Sequence, residues 1–448
     1  MRKCATLFLA AFALHAPAQT FDTLVTFDWT NGGNPQYMAL IQGNDGELYG
    51  TTAGGGTAGY GTVFKMTTAG KLAPLYSFGA TGGAFPTAGL AWAPNGNFYG
   101  ATEAGGTNDL GTIFQITSTG TLTDLYDFAA AEGAYPYTGL VSTANGEVYG
   151  TAELGGANNY GSVFKMPASG ALITLHSFDL TDGANPFGTL VEASGNFYGT
   201  TLAGGTKGYG TVFEITSSGT LTTLHSFSDT DGAYPPGGLT LGSDGKLYGV
   251  TSAGGTNGFG TIFKITLTGT LTTICNFALT DGSLPFAGLI QATDGNFYGT
   301  TNQGGAEGYG TVFQMTPAGV LSTVHDFAST DGANPSGALF QATDGNLYGS
   351  TWAGGANGYG TIFSISENLA PFVISAPISG KVGASVRILG TSLKGTTSVT
   401  FDGTAASFTI RSATEITTTV PAGAKTGSIN VVTPSGTLVS NVPFQVVK

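Results

Sequence analysis

Cations, cysteines and long apolar runs are scarce in this 448-residue sequence, and each scarcity excludes a class of protein. Residues 19–369 contain 6 Lys and no Arg against 25 Asp or Glu, a net charge of −19, whereas residues 370–448 carry a net charge of +4. Nucleic acids and anionic sugars are bound through clustered cations and Arg forks. We therefore expect neither class as a partner of the large acidic region.

The first eighteen residues have the features of a targeting segment. An Arg-Lys start is followed by an apolar run over residues 5–14 and by the small residues Ala16-Pro17-Ala18. This pattern predicts a signal peptide over 1–18 and a secreted or cell-surface protein, with the periplasm as another possible location. The run is too short to span a bilayer, and no later stretch is long and apolar enough. Cleavage removes Cys4 and leaves Cys275 alone, so no intrachain disulfide is expected.

Glycine is abundant, at 74 residues, and it recurs with a fixed period. A pattern of the form Asp-Gly-Asn-Phe-Tyr-Gly-Thr-Thr, then Gly-Gly, then Tyr-Gly-Thr-Val-Phe repeats every 49 or 50 residues. We number the copies units 1 to 7 by their turn glycines, which are Gly46, Gly96, Gly146, Gly195, Gly245, Gly295 and Gly345. Self-similarity at this period is typical of propellers and solenoids.

The residue pattern of each unit predicts four antiparallel strands, which we label a to d. In unit 6 these are 288–292, 296–301, 311–316 and 320–327, and Asp294-Gly295 forms the hairpin turn between the first two. Four strands at this period indicate propeller blades. Unit 7 stops after its third strand, at 361–366, while residues 20–27 form an orphan outer strand. The N-terminal strand is therefore predicted to close a seven-bladed β-propeller over 19–369. A linear solenoid is the alternative, but it requires polar caps rather than complementary half-units.

Residues 370–448 follow a different β pattern, with about seven short alternating segments that predict an Ig-like β-sandwich. The Ser379-Gly380 opening, the Val-Thr-Phe-Asp-Gly turn at 399–403 and the Val-Pro-Ala-Gly-Ala-Lys-Thr-Gly stretch at 420–427 resemble an IPT/TIG domain. The repeats resemble the GloVer tandem repeat of bacterial exported proteins with a choice of C-terminal surface anchors. The resemblance implies a propeller-like fold and a stalk or binding role for the IPT/TIG-like part, and it carries no known activity.

Residues that recur in every unit are first explained by the fold. The Gly-Gly pairs join two strands with no helix following, so they are not phosphate loops. The Thr-Asp-Gly series (Asp182, Asp231, Asp281 and Asp331) is interpreted as turn capping rather than calcium binding. His176, His225 and His325 fill one outer-strand position of different units, so neither a metal site nor a triad is expected. Cofactors are expected to be none.

Function is sought where the units differ, in the b–c and d–a loops, which are expected to emerge on one face. The predicted ligand-binding residues are Trp29, Glu103, Tyr135, Tyr137, Glu153, Asn302 and Trp352. Aromatic faces beside carboxylates and amides suit neutral sugars or peptides. The alternative is that these side chains pack blade against blade or vary freely.

No catalytic motif is recognised, so the sequence predicts a non-enzymatic recognition or scaffold protein that binds a neutral glycan or an extracellular protein or peptide. We expect a monomer. The first alternative is a glycosidase on neutral polysaccharide with Glu103 and Glu153 as its acid–base pair, which requires carboxyls roughly 5–9.5 Å apart. The second is a purely structural envelope or biofilm component.

Overall fold

The computed structural model describes residues 19–79, 82–93, 95–143 and 145–447, and every regular element in them is a β-strand. The predicted signal peptide lies outside these residues. The search of the described residues found no helix with the length and apolar character needed to cross a membrane.

The strands of the repeat region are, in chain order, β1 (Thr20–Thr26), β2 (Ile41–Gln42), β3 (Leu48–Thr52), β4 (Thr62–Met66), β5 (Leu72–Ser77), β6 (Ala91–Trp92), β7 (Phe98–Thr102), β8 (Thr112–Ile116), β9 (Leu122–Asp127), β10 (Val141–Ser142), β11 (Val148–Ala152), β12 (Ser162–Met166), β13 (Ile173–Ser177), β14 (Ala184–Pro186), β15 (Val191–Ala193), β16 (Asn196–Ala203), β17 (Thr211–Ile215), β18 (Leu221–Ser226), β19 (Thr240–Leu241), β20 (Leu247–Thr251), β21 (Thr261–Ile265), β22 (Leu271–Asn276), β23 (Ile290–Gln291), β24 (Phe297–Thr301), β25 (Thr311–Met315), β26 (Leu321–Asp326), β27 (Phe340–Gln341), β28 (Leu347–Thr351) and β29 (Thr361–Ser366).

Each unit folds into one antiparallel sheet whose strands follow chain order, such as β23-β24-β25-β26 in unit 6. The sheet of unit 4 has a fifth strand, because β14 of its d–a loop also pairs with β16. The innermost strand is shorter than predicted, with two residues in most units. In unit 6 the turn is held as expected, since Asp294 accepts hydrogen bonds from the Asn296 amide at 3.0 Å and from the Tyr298 hydroxyl at 3.0 Å.

The last sheet is completed by the other end of the chain. β1 pairs antiparallel with β29, so Thr20 lies opposite Ser366 and Thr26 opposite Thr361. The predicted pairing of the N-terminal strand with 361–366 is therefore present. A buried cluster containing Phe27, Phe64 and Tyr348 joins unit 7 to unit 1, and this contact excludes the linear solenoid.

The core lies between neighbouring sheets, because each sheet presents one apolar face to the unit before it and one to the unit after it. Between units 5 and 6, Tyr248 stacks on Phe297 with ring centroids 4.1 Å apart. A glycine on the second strand makes room for the ring of the third: a Cβ on Gly299 would lie 2.6 Å from Phe313 Cζ. The repeating glycine is thus a packing requirement.

The C-terminal region contains ten further strands, which are β30 (Ile374–Ala376), β31 (Ser379–Gly380), β32 (Ser385–Leu389), β33 (Ser398–Phe401), β34 (Thr404–Ala405), β35 (Phe408–Ile410), β36 (Glu415–Thr419), β37 (Ile429–Thr433), β38 (Gly436–Val439) and β39 (Gln445–Val446). They form the sheets β30-β32-β36-β35 and β34-β33-β37-β38, together with the parallel pair β31-β39. A buried cluster that includes Ile388, Phe401 and Phe444 lies among them.

The C-terminal region lies against the a–b turn ends of the repeat sheets. Thr414 Oγ1 donates a hydrogen bond to the Asn44 carbonyl at 2.8 Å, and the Phe372 amide donates to the Thr343 carbonyl at 3.2 Å. The d–a and b–c loops emerge at the opposite ends of the strands. They are joined in pairs, such as Ala84 with Ala104 and Ala333 with Ala353.

Candidate active site

The residue before the d–a proline is left-handed in all seven units, although it is never glycine. These residues are Asn34, Phe85, Tyr135, Asn185, Tyr234, Leu284 and Asn334, with φ between 52° and 58°. Where the residue is Asn, its side-chain amide donates to the carbonyl at the variable b–c position of the neighbouring unit, as Asn34 does to Trp352 at 3.1 Å. A left-handed backbone is unfavourable for bulky side chains. All seven d–a loops therefore share one backbone conformation, although it is energetically unfavourable at this residue. The shared conformation fixes the direction of the residues after the proline.

The residues that follow the prolines surround the mouth of a central cavity of about 290 Å³. Tyr37, Tyr137, Phe187 and Phe286 all line it. Tyr37 meets Phe187 edge to face, with ring centroids 5.0 Å apart, and Tyr137 packs on the same Phe187 at 5.4 Å. The mouth is therefore a cluster of four aromatic rings contributed by four different units.

A carboxyl group is held against this aromatic cluster. The Tyr137 hydroxyl donates a hydrogen bond to Glu103 Oε1 at 2.7 Å. Burial raises the pKa of Glu103 above its ordinary value, and the hydrogen bond from Tyr137 partly opposes that rise. Burial, followed by this hydrogen bond and by the nearby carboxylates, raises the pKa of the Tyr137 hydroxyl, so Tyr137 stays protonated.

A second carboxyl group lies within electrostatic range of the first. Burial and then the charge of Glu103 raise the pKa of Glu153. Burial and then the charges of Glu103 and Glu153 raise the pKa of the Tyr37 hydroxyl. The charges of Glu103 and Glu153 act on both tyrosines and the charge of Glu103 acts on Glu153, so the structure brings the four groups together at one site.

Three of the seven predicted binding residues, Glu103, Tyr137 and Glu153, belong to this cluster. Tyr135 is its neighbour through the backbone, since its carbonyl accepts a hydrogen bond from the Glu153 amide at 3.2 Å. Of the predicted set, Tyr137 lines the central cavity itself, and Glu103 joins the site through its hydrogen bond with Tyr137. The other three predicted residues lie elsewhere on the loops: Trp29 packs on Tyr359, Asn302 lies beside Asn334, and Trp352 is 45% exposed.

The predicted set omitted Tyr37, Phe187 and Phe286. A signal for Tyr37 was present, because unit 1 has four residues between Pro35 and Leu40 where the other units have three between the proline and the leucine. The inserted residue places a ring over the cavity. Phe187 and Phe286 occupy the same position as Tyr137 in their own loops, directly after the proline, so position in the repeat would have identified them.

The repeated His and Asp residues have structural roles. Asp182 accepts the Asp179 amide at 3.0 Å with one oxygen and contacts His176 Nε2 at 2.7 Å with the other. The same pairing occurs between His225 and Asp231 and between His325 and Asp331. Each pair stays within one unit, as turn capping requires. The described residues contain no group of three or more His, Cys, Asp or Glu arranged to hold a metal ion.

Comparison with known proteins identifies the repeat. A family described as the Gloeobacter/Verrucomicrobia repeat matches residues 10–213 and again residues 188–410. The chain belongs to this repeat family. The resemblance of the repeats noted from their sequence is thereby confirmed, whereas an IPT/TIG domain is not among the matches. The search of curated proteins finds no match.

Several solved structures that resemble this chain are enzymes with a propeller-type fold. Virginiamycin B lyase from Staphylococcus aureus matches with a TM-score of 0.54 at 16% identity, over 78% of this chain and 99% of that one. A gluconolactonase from Xanthomonas campestris matches with a TM-score of 0.41 at 14% identity, over 80% of this chain and 93% of that one. The lyase match shows the fold alone.

The prediction of a non-enzymatic recognition or scaffold protein was wrong, because the solved structure that shares the fold with a TM-score of 0.54 is that of a lyase, and the fold therefore does not indicate a non-enzymatic role. That prediction depended on the absence of a contiguous catalytic motif. In a ring of repeats, however, a site is assembled from single residues of different units, as Glu103, Tyr137 and Glu153 are here. A missing local motif is therefore weak grounds for excluding an enzyme in this fold.

Proposed function

We propose that this chain is an enzyme that performs general acid–base catalysis with Glu103 and Glu153. The observation that supports this most directly is a pair of partly buried carboxyls beside the aromatic cluster, where the Tyr137 hydroxyl donates a hydrogen bond to Glu103 and burial raises the pKa of both Glu103 and Glu153. Carboxyls tuned upward by burial can exchange protons near neutral pH. Because the pair lies on loops of a rigid scaffold, its geometry is fixed before any substrate arrives.

The two carboxyls differ in their surroundings, and this difference assigns their roles. Glu103 accepts a hydrogen bond from Tyr137, which favours its ionised form. For Glu153, burial and the neighbouring negative charge both favour the protonated form. We therefore assign Glu103 as the general base, Glu153 as the general acid and Tyr137 as a positioning residue.

The reaction class that fits is hydrolysis of a carbon–oxygen bond. Glu153 would give its proton to the leaving oxygen while Glu103 takes one from the attacking water, so one carbon–oxygen bond breaks and another forms. The aromatic rings and negative charge favour an uncharged or cationic small molecule with an apolar face. A cavity of about 290 Å³ is near the lower end of small-molecule pockets, which start at roughly 300 Å³.

The test is a hydrolysis screen of the mature chain on uncharged chromogenic esters, lactones and glycosides. We expect turnover of at least one, with Glu103→Gln and Glu153→Gln each lowering kcat by about 10²–10⁴-fold. Glu307→Gln, which removes an exposed carboxyl of a b–c loop, is the matched control and should leave kcat unchanged. Turnover that survives both active-site changes would refute the assignment.

We further propose that the repeat sheets are the seven blades of one closed propeller over 19–369 and that 370–448 is an Ig-like domain of the IPT/TIG type. The closure of unit 7 by β1 supports the first proposal, and the two four-stranded sheets around the Phe401 core support the second. Secretion through the 1–18 segment stays a prediction. The N-terminal sequence of the protein recovered from culture medium would test it.

A further inference from the structure

At one position of the innermost strand the residue type differs between units. This position lies on the side of the sheets that faces the C-terminal region. In three units this position is a glutamine that bridges to the preceding unit: Gln42 accepts the Thr343 amide at 3.0 Å, and Gln341 and Gln291 accept the Thr293 and Ser243 amides in the same way. The other four units are consecutive and carry Trp92, Ser142, Glu192 and Leu241 there.

The four residues that replace the glutamine line two cavities between the repeat sheets and the C-terminal region. A cavity of about 410 Å³ lies between Trp92, Ser142 and Glu192 on one side and Ile374 and Ile378 on the other. Glu192 and Leu241 also line an adjoining cavity beneath the C-terminal strands. We call the first of these the junction cavity. Its volume is in the range of small-molecule sites.

The walls of the junction cavity are mainly apolar. The repeat sheets contribute Ile41, Val141, Val191 and Phe340, and the C-terminal region contributes Pro377 and Leu389. The junction cavity adjoins the central cavity at Leu190 and Val191, where both are lined by the same residues. Its far side approaches Arg387, whose guanidinium lies near Glu415 at 3.8 Å.

One acidic group faces this apolar space. The backbone of Glu192 is paired with β16, but its carboxyl has no hydrogen bond or ion pair with any part of the chain that the structure describes, and burial raises the pKa of this carboxyl. A carboxylate placed among apolar side chains is costly unless a cation accompanies it. The equivalent glutamines avoid that cost, because their amides are bonded to the neighbouring unit.

We propose that the junction cavity is a second binding site, for a small apolar molecule with an ammonium group that pairs with Glu192. The apolar part of this ligand would lie against Trp92 and Ile378. Charge complementarity selects the ammonium group, since Glu192 is the acidic residue that lines the cavity. The site is separate from the catalytic pair and does not depend on the proposed reaction.

The test uses hexylammonium as the probe and hexanol as its uncharged counterpart. The chain has three tryptophans, so the mature protein with Trp29→Phe and Trp352→Phe reports on Trp92 through its fluorescence. We expect saturable binding of hexylammonium, at least about tenfold tighter than hexanol, and about tenfold weaker binding in Glu192→Gln. Equal affinity of the two probes, or an unchanged affinity in Glu192→Gln, would overturn the proposal.

Two controls separate this site from the catalytic mouth. Glu153→Gln in the same background should leave the Trp92 signal and its hexylammonium affinity unchanged, and a loss there would show that the probe binds at the mouth instead. Ser142→Leu narrows the cavity without touching Glu192 and should weaken both probes. If it keeps the parent melting temperature and weakens neither, the probes do not occupy the junction cavity.

Discussion

The mouth of the central cavity and the junction cavity present carboxyls in opposite circumstances. At the mouth, Glu103 accepts a hydrogen bond from Tyr137, and its charge acts on Glu153. At the junction, Glu192 faces apolar walls with no partner in the described part of the chain. All three replace residues that are uncharged in most other units. The difference lies in the partners: Glu103 is engaged with its own chain, which is the basis of the proposed acid–base role, whereas the Glu192 side chain is not, which is the basis of the proposed cation site.

The largest expected loss of stability comes from removing β1, the strand that completes the sheet of unit 7. Deleting residues 19–27 from the mature chain exposes the edge of β29 and takes Val25 and Phe27 out of the cluster between units 7 and 1. We expect loss of the cooperative melting transition, or aggregation through the exposed edge. Light scattering and thermal denaturation measure this. A truncated chain that melts like the parent would show that closure contributes little.

The next effect is a pH-dependent change in the free energy of unfolding, which separates the partly buried carboxyls from an exposed one. A raised pKa in the folded state gives stability that is present below the ordinary glutamate pKa and is lost as pH rises through the folded pKa. Glu153→Gln and Glu192→Gln should therefore raise the free energy of unfolding at pH 7 relative to the parent, and the gain should vanish near pH 4, below the ordinary value of about 4.3. Urea denaturation at the two pH values measures it. The exposed Glu307→Gln variant should show no such gain at either pH.

A smaller effect tests the positioning role of Tyr137. Tyr137→Phe removes the hydrogen bond that favours ionised Glu103, so the pKa of the base should rise. The acidic limb of the pH–rate profile should move to higher pH while the alkaline limb, set by Glu153, stays in place. A uniform fall in kcat with both limbs fixed would indicate a packing role only.

The smallest effect concerns the predicted residues that lie away from the mouth. Trp352→Ala and Asn302→Ala should change kcat/KM less than twofold, about 0.4 kcal/mol, because the described hydrogen bonds of these residues are made by their backbone groups, including the carbonyls that accept from Asn34 and Asn334, and not with the Glu103–Tyr137 pair. Steady-state kinetics on the substrate found in the hydrolysis screen would check this. A tenfold loss in either variant would extend the site across the loop face.

The sequence repeat made the strands predictable, but it did not indicate which loop residues meet at the site. The unit 7 strand was placed at 361–366, as observed, because the hydrophobic pattern and turn residues recur in six other copies. Glu103 and Glu153 were found as departures from the repeat. Tyr37 was not placed in the site, because a one-residue insertion alters where a ring points, which only the loop geometry determines. Glu192 was missed because its importance depends on what the C-terminal region places over it.

The pairing of β1 with β29 sets an order of events as the chain emerges. The first strand of the ring to be made is the last to find its partner, so it must wait while six complete sheets form. During that interval both β1 and the edge of β29 are open to strands from other molecules. A contact so distant along the chain also slows the final step, because loop closure must precede the stabilising contacts. Ring completion therefore comes last, and the concentration of chains that still await it sets the risk of strand exchange.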